Sequence, residues 1–248
     1  LSDRAEIQRI IYSFLPGIFL VAALWLVKFI EIKTGHLLTE YGVFPRTLSG
    51  MKGIITSPFI HGDYKHLISN SLPMVILGAG LFYFYKSLAW KVFIWIYFLA
   101  GFWLWLGGRE SFHIGASGVI YGLTTFLFFS GVLRRDTRLM ALSLIVVFLY
   151  GGMVWGVFPL VEKISWEGHL YGALAGILIA VVYKKEGPQR KLYQWEIEPE
   201  EDDDDDDENA YWRIPTTPRA PEQPQQVQIT YTIVESKPKE GSDHNEEK

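Results

Sequence analysis

The chain has no cysteine in its 248 residues, which excludes disulfides, thiolate catalysis and cysteine-ligated metals while saying little about compartment. It also lacks a basic patch. Lysines and arginines are scattered at the ends of apolar runs, so nothing marks a nucleic-acid partner. Acidic residues are missing from the middle of those runs, which leaves no carboxylate relay of the kind a transporter carries along its path. Polar faces are missing too. Apolar stretches of about 17–22 residues recur without a hydrophilic stripe, and a soluble core is not built from six such helices.

What is there divides sharply. The net charge of −4 hides a body, residues 1–195, at +8 and a tail, residues 196–248, at −12. The tail is rich in Pro, Gln and Glu and too poor in apolar surface to offset chain entropy, so the sequence predicts disorder over 186–248. Its acidic run, Glu201 to Glu208, reads as a solvated stretch, with a basic cytoplasmic partner as the functional alternative. The alternating segment 226–234 could dock on a partner that nothing in the sequence identifies.

The apolar runs fall near 10–30, 66–85, 90–107, 117–133, 139–157 and 168–183. Each is long enough to cross a hydrocarbon core about 30 Å thick. Tyr12, Trp90, Tyr150, Trp155, Trp166 and Tyr183 gather near their ends, as interfacial rings do. The first run begins too far in, and is too long, for a cleaved signal. These features predict an all-α membrane protein: a short N-terminus over 1–9, a six-span domain over 10–185 and the acidic tail. Arg4 and Arg9, Lys86 and Lys91, Arg134, Arg135 and Arg138, then Lys184, Lys185, Arg190 and Lys191 share one side. Fewer cations (Lys33, Arg46, Lys52, Arg109 and Lys163) lie on the other. The positive-inside rule therefore puts both termini in the cytoplasm, and the expected home is a bacterial plasma membrane. The outer loop over 31–62 is too long for a simple connector and includes an apolar stretch, Met51 to Ile60, suited to the interface.

Polar groups inside a bilayer are costly and mark function. The candidates are His66, Asn70, Ser117 and His169. At 1.5 Å per residue, Ser117 stands about 25 Å from Arg134, His169 about 22 Å from Lys184, and Asn70 about 24 Å from Lys86. His66, one turn above Asn70, comes to about 30 Å. Three helices thus bring polar groups to one depth near the outer surface.

Ser117 sits in Gly115-Ala116-Ser117-Gly118 at a helix start, where unpaired backbone N–H groups face outward and flanking glycines allow close approach. A serine hydroxyl there needs an adjacent base to act as a nucleophile, and a helix cap or packing seam is the structural alternative. His169 precedes a small-residue strip, Gly172 and Gly176, that lets its helix approach a neighbour. It is either that base or a histidine satisfied at a helix end. Tyr121, one turn after Ser117, could stack on the imidazole or serve as ordinary packing. His66 and Asn70 share a helix face and can donate hydrogen bonds to an oxyanion. The run His61-Gly62-Asp63-Tyr64-Lys65-His66 leaves metal binding as the competing reading, though zinc would need those ligands to converge.

Taken together, these residues resemble the rhomboid intramembrane serine proteases. The likeness rests on Gly-Ala-Ser-Gly at 115–118 with Tyr121, on His169 with Gly172 and Gly176, and on His66 with Asn70 preceded by His61. It covers roughly residues 5–185 and excludes the tail. The resemblance implies a six-helix bundle with Ser117 as nucleophile and His169 as general base. It implies an oxyanion hole of His66, Asn70 and the Ser117 backbone N–H, supported by Tyr121, Gly115, Gly118, Gly172 and Gly176. It implies substrates that are membrane proteins, cut in or beside a transmembrane segment, and no metal or organic cofactor. Family members often carry a Trp-Arg pair in the long first loop; aligning on His61 puts Lys52-Gly53 there. The alternative function on the same scaffold is a non-catalytic chaperone or sorting factor that binds transmembrane helices.

Overall fold

The computed structural model describes residues 3–149, 155–160 and 164–187. Among them there is no strand; seven α-helices and four short 3₁₀ turns make up the regular structure. The helices are α1 (Asp3–Thr34), the single turn α2 (Gly53–Thr56), α3 (Tyr64–Phe84), α4 (Ala89–Gly107), α5 (Ser117–Arg134), α6 (Thr137–Leu149) and α7 (Trp166–Val182). Helices α1, α3, α4 and α5 are long and apolar enough to cross a membrane, whereas α6 and α7 are shorter apolar helices. The outward face of α4 repeats Trp90, Ile94, Phe98, Phe102 and Leu106 at every fourth position, all exposed. A strip of that size on a soluble monomer would be an aggregation hazard; facing lipid, it is expected. The chain is a multi-pass membrane protein.

Local chemistry sets the helix ends. Asp63 caps α3 by accepting the His66 N–H at 2.7 Å. Ser165 caps α7 by accepting from Gly168 N at 3.3 Å. Helix α5 has no side-chain cap at its start, so its first N–H groups stay available where Ser117 begins the helix. At its other end Arg135 turns left-handed, and Asp136 N returns to Gly131 O at 2.9 Å.

Helix α5 is the hub, packed by α3, α4, α6 and α7, and its interface with α7 is the most extensive. That seam is made of glycine. A Cβ on Gly172 would overlap the Gly118 carbonyl, and one on Gly176 the Gly122 carbonyl. The two backbones therefore touch, and Thr125 Oγ1 adds a hydrogen bond to Ala173 O at 2.8 Å. Helix α1 lies against α3, with Gly17 against Val75 and Gly78.

Two expectations are corrected. The run expected over 139–157 is not one helix to its end: it is described as helix over Thr137–Leu149 and as a 3₁₀ turn over Trp155–Val157. Gly156 within that turn lets the chain pass against another helix. Arg134 is not a loop cation. It is buried in the last turn of α5, donates to Tyr183 O and Glu186 O at 2.6 Å each, and bonds Ser130, which also meets the Tyr85 hydroxyl at 2.6 Å. The guanidinium thereby ties the segment that follows α7 to the end of α5. Helix α1 also carries paired charge towards its C-terminal end. Lys28 and Glu31 form a buried ion pair at 2.7 Å; Lys28 also reaches His61 O and Gly62 O, and Glu31 accepts from Leu38 N. Tyr150, Lys163, Arg190, Lys191 and the tail from residue 188, with its acidic run and the segment 226–234, lie outside the described residues.

Candidate active site

A cavity of about 740 Å³ is lined by His66, Asn70, Ser117, Tyr121 and His169. Ser117 arrives there because α5 starts at it, and the turn before it is held by Gly115 N donating to Ser57 O at 2.9 Å. Gly115 has φ of +110°, and a Cβ on it would stand 2.6 Å from the His66 ring. Glycine is required on both grounds. His169 occupies the first turn of α7, opposite, because the glycine seam draws α7 onto α5.

The Ser117 hydroxyl and His169 Nε2 are 2.8 Å apart. His169 Nδ1 is 2.8 Å from the Gly156 carbonyl oxygen. A carbonyl only accepts, so Nδ1 carries the hydrogen and Nε2 presents its lone pair to the Ser117 O–H. The Tyr121 ring stacks on the imidazole at 4.3 Å with 9° between planes, fixing its orientation. Gly156 fits tightly: a Cβ there would overlap the Tyr121 hydroxyl and approach His169 Nδ1 to 3.0 Å. A backbone carbonyl thus fills the orienting position that a carboxylate occupies in a three-membered arrangement.

On the α3 side, His66 and Asn70 border the same cavity. Asn70 is buried, and its Nδ2 has no hydrogen-bond partner among the described residues. A buried donor without an acceptor is costly and is the feature an oxyanion site needs before its ligand forms. His61 stacks edge to face on His66 at 4.9 Å. Burial, then the neighbouring His66, pushes the His61 imidazole down to about 4, which leaves it neutral near pH 7. The Asp63 carboxyl is held below its usual range by the His66 backbone N–H it accepts. Asp63 is thus engaged as a cap, and among the described residues no three His, Cys, Asp or Glu side chains converge as a metal site.

The structure brings Ser117, His169, Tyr121, His66 and Asn70 around one cavity. It puts Gly115 against His66, and Gly118, Gly172 and Gly176 in the seam. Lys52 and Gly53 do other work: Lys52 Nζ lies 4.4 Å from the Tyr41 ring centroid, and Gly53 packs on the Gly42 backbone. The long loop is anchored instead by Arg46 and Trp105. Arg46 Nη1 donates to Gly108 O at 2.7 Å, its backbone N donates to Trp105 O at 2.9 Å, and Trp105 Nε1 donates to Thr47 O at 2.8 Å. Sequence reasoning missed these two, and also Gly156, because a backbone carbonyl leaves no side-chain signal. It missed the Lys28–Glu31 pair too, whose signal was present: two opposite charges three positions apart at the end of an apolar run.

The Rhomboid domain family matches residues 49–186. An uncharacterized protein of Mycobacterium tuberculosis (strain H37Rv) is 37% identical over 185 residues, covering 69% of this chain and 74% of its own. An uncharacterized protein of Mycobacterium leprae is 34% identical over 184 residues, covering 69% of this chain and 70% of its own. The matched span contains the serine turn, the α7 histidine and the whole glycine seam, so the chain belongs to the rhomboid family.

Proposed function

We propose that this protein is an intramembrane serine endopeptidase that hydrolyses peptide bonds in or next to transmembrane segments of membrane-protein substrates. The observation that carries this reading is the directed chain Ser117 Oγ–H to His169 Nε2, with Nδ1–H held by Gly156 O. In this mechanism Ser117 Oγ attacks the scissile carbonyl while His169 takes its proton. The negative charge that develops on the carbonyl oxygen is met by Asn70, His66 and the Ser117 backbone N–H. His169 then gives its proton to the leaving amine, and water clears the acyl-enzyme. No metal or organic cofactor enters any step.

The same reading takes α1, α3, α4, α5, α6 and α7 as six membrane crossings within a domain over 10–185. Both termini and the acidic tail then face the cytoplasm of a bacterial cell, as the distribution of loop cations favours. Ser117 opens α5 near its outer end, so water reaches it from the outer side. Nothing but single-span helices and the bilayer is needed as partner; a basic protein on the tail would be an addition.

The test is cleavage of a single-span reporter by the full chain in proteoliposomes. We expect Ser117→Ala and His169→Ala each to abolish cleavage while thermal unfolding stays at the parental midpoint. Cleavage by Ser117→Ala at the parental rate would overturn the assignment, and a wild-type chain that binds the reporter without cutting it would favour a helix-binding factor on the same scaffold.

A further inference from the structure

The loop that delivers Ser117 and the turn that starts α7 are fastened together by groups outside the dyad. His113, four residues before Ser117, is 2% exposed. Its backbone is fixed on both sides by Val43, with His113 N donating to Val43 O at 2.8 Å and His113 O accepting from Val43 N at 2.9 Å. Its ring spans two segments. Nε2 is 3.0 Å from Arg109 O, an atom that only accepts, so Nε2 carries the hydrogen. Nδ1 is then a bare acceptor, and the Ser165 hydroxyl lies 2.7 Å from it.

Ser165 is the cap of α7. Its Oγ accepts from Gly168 N, and its carbonyl accepts the His169 N–H at 3.2 Å. The directions are mutually consistent: Gly168 N–H to Ser165 Oγ–H to His113 Nδ1, and His113 Nε2–H to Arg109 O. Each hydrogen finds an acceptor in this pattern only while the imidazole is neutral; Ser111 Oγ, 3.4 Å from Nε2, is a second and longer neighbour of that nitrogen. Burial pushes His113 below its usual range, opposed by the hydrogen bond to the Arg109 carbonyl and by Glu167, with the Arg109 charge acting in the same sense as burial. Arg109 adds a donor to Ile164 O at 2.8 Å and an ion pair with Glu167 at 3.5 Å, both on the α7 side.

We propose that His113 is a positioning residue that, through Ser165, sets where α7 begins and so where His169 stands relative to Ser117. The proposal rests on the protease reading. One edge of the ring belongs to the loop leading to the nucleophile and the other holds the cap one turn before the base. Releasing it lets the first turn of α7 shift against α5, and a misplacement of about 1 Å at reacting atoms costs on the order of a hundredfold in rate.

The experiment uses the full chain in proteoliposomes with a single-span reporter and a fluorophosphonate probe. His113→Phe keeps a ring without nitrogens. We expect it to lower kcat and the rate of Ser117 labelling together, by about ten- to a hundredfold per folded molecule, with KM unchanged. His113→Asn, whose amide oxygen can accept from Ser165, is expected to recover most of that loss. Ser165→Gly removes the hydroxyl yet caps nearly as well, so it should fold, lose kcat by the same factor, and add nothing further in combination with His113→Phe. Wild-type kcat in Ser165→Gly, or a loss confined to KM, overturns the proposal while leaving the protease reading intact. A wild-type chain that neither cleaves nor labels overturns both.

Discussion

A serine hydroxyl is a weak nucleophile at its own pKa, and its surroundings decide what it can do. Here the decisive neighbour is an imidazole whose tautomer is set by the Gly156 carbonyl and whose plane is set by Tyr121. Ser117, His169, His66 and Asn70 were legible in sequence because polar groups at one depth in apolar helices are rare enough to carry information. Gly156 was not legible, since its contribution is a carbonyl that every residue has. Arg134 was misread for the opposite reason: its charge put it with the loop cations, whereas its hydrogen bonds turn it inward. Asn70 provides the residue-scale prediction. Its Nδ2 is buried without a partner among the described residues, so Asn70→Ala should lower kcat by about a hundredfold or more with KM unchanged. Reporter kinetics check this; a kcat within a few-fold of wild type would remove Asn70 from the oxyanion site.

At the scale of elements, the approach of α7 to α5 places His169 beside Ser117, and the glycine strip that permits it was visible as a spacing. The partner of that strip was only inferable from the sequence; the structure identifies it as Gly118 and Gly122 of α5. The helices start at Tyr64 and Trp166, two residues before the apolar runs near 66–85 and 168–183, because Asp63 and Ser165 cap them, a signal the run boundaries alone did not carry. The 3₁₀ turn over Trp155–Val157 did not follow, because an apolar run says nothing about where a chain must leave the helix to bring Gly156 to His169. The loop anchor was equally hidden: Arg46 and Trp105 are far apart in sequence and meet only in three dimensions. Gly172→Ala puts a methyl group into the Gly118 carbonyl, so it should destabilise by about 1–3 kcal/mol and lower activity as α7 moves off α5. Thermal unfolding in detergent checks it against Gly62→Ala, where an added Cβ meets only Ile114 Cδ1 at 3.9 Å. Equal midpoints for the two variants would show that the seam is looser than described.

For the whole molecule, composition and run length were enough to indicate an all-helical membrane protein, since hydropathy reports the solvent a helix needs more directly than it reports packing. Among the described residues four helices meet the length of a crossing and two further apolar helices are shorter, so counting crossings depends on more than length. The placement of the cavity follows from the arrangement as a whole. In the proposed mechanism helix α3 supplies the donors, α5 the nucleophile, and α7 the base, while the long loop fixed by Arg46 and the turn at Gly156 hold them in register. The most direct measurement is mass-spectrometric mapping of the adduct formed when the full chain in membranes is treated with a fluorophosphonate. The account predicts one modified peptide, carrying the phosphonyl group on Ser117, and its loss in His169→Ala. No adduct on Ser117, or an equal yield without His169, would contradict it.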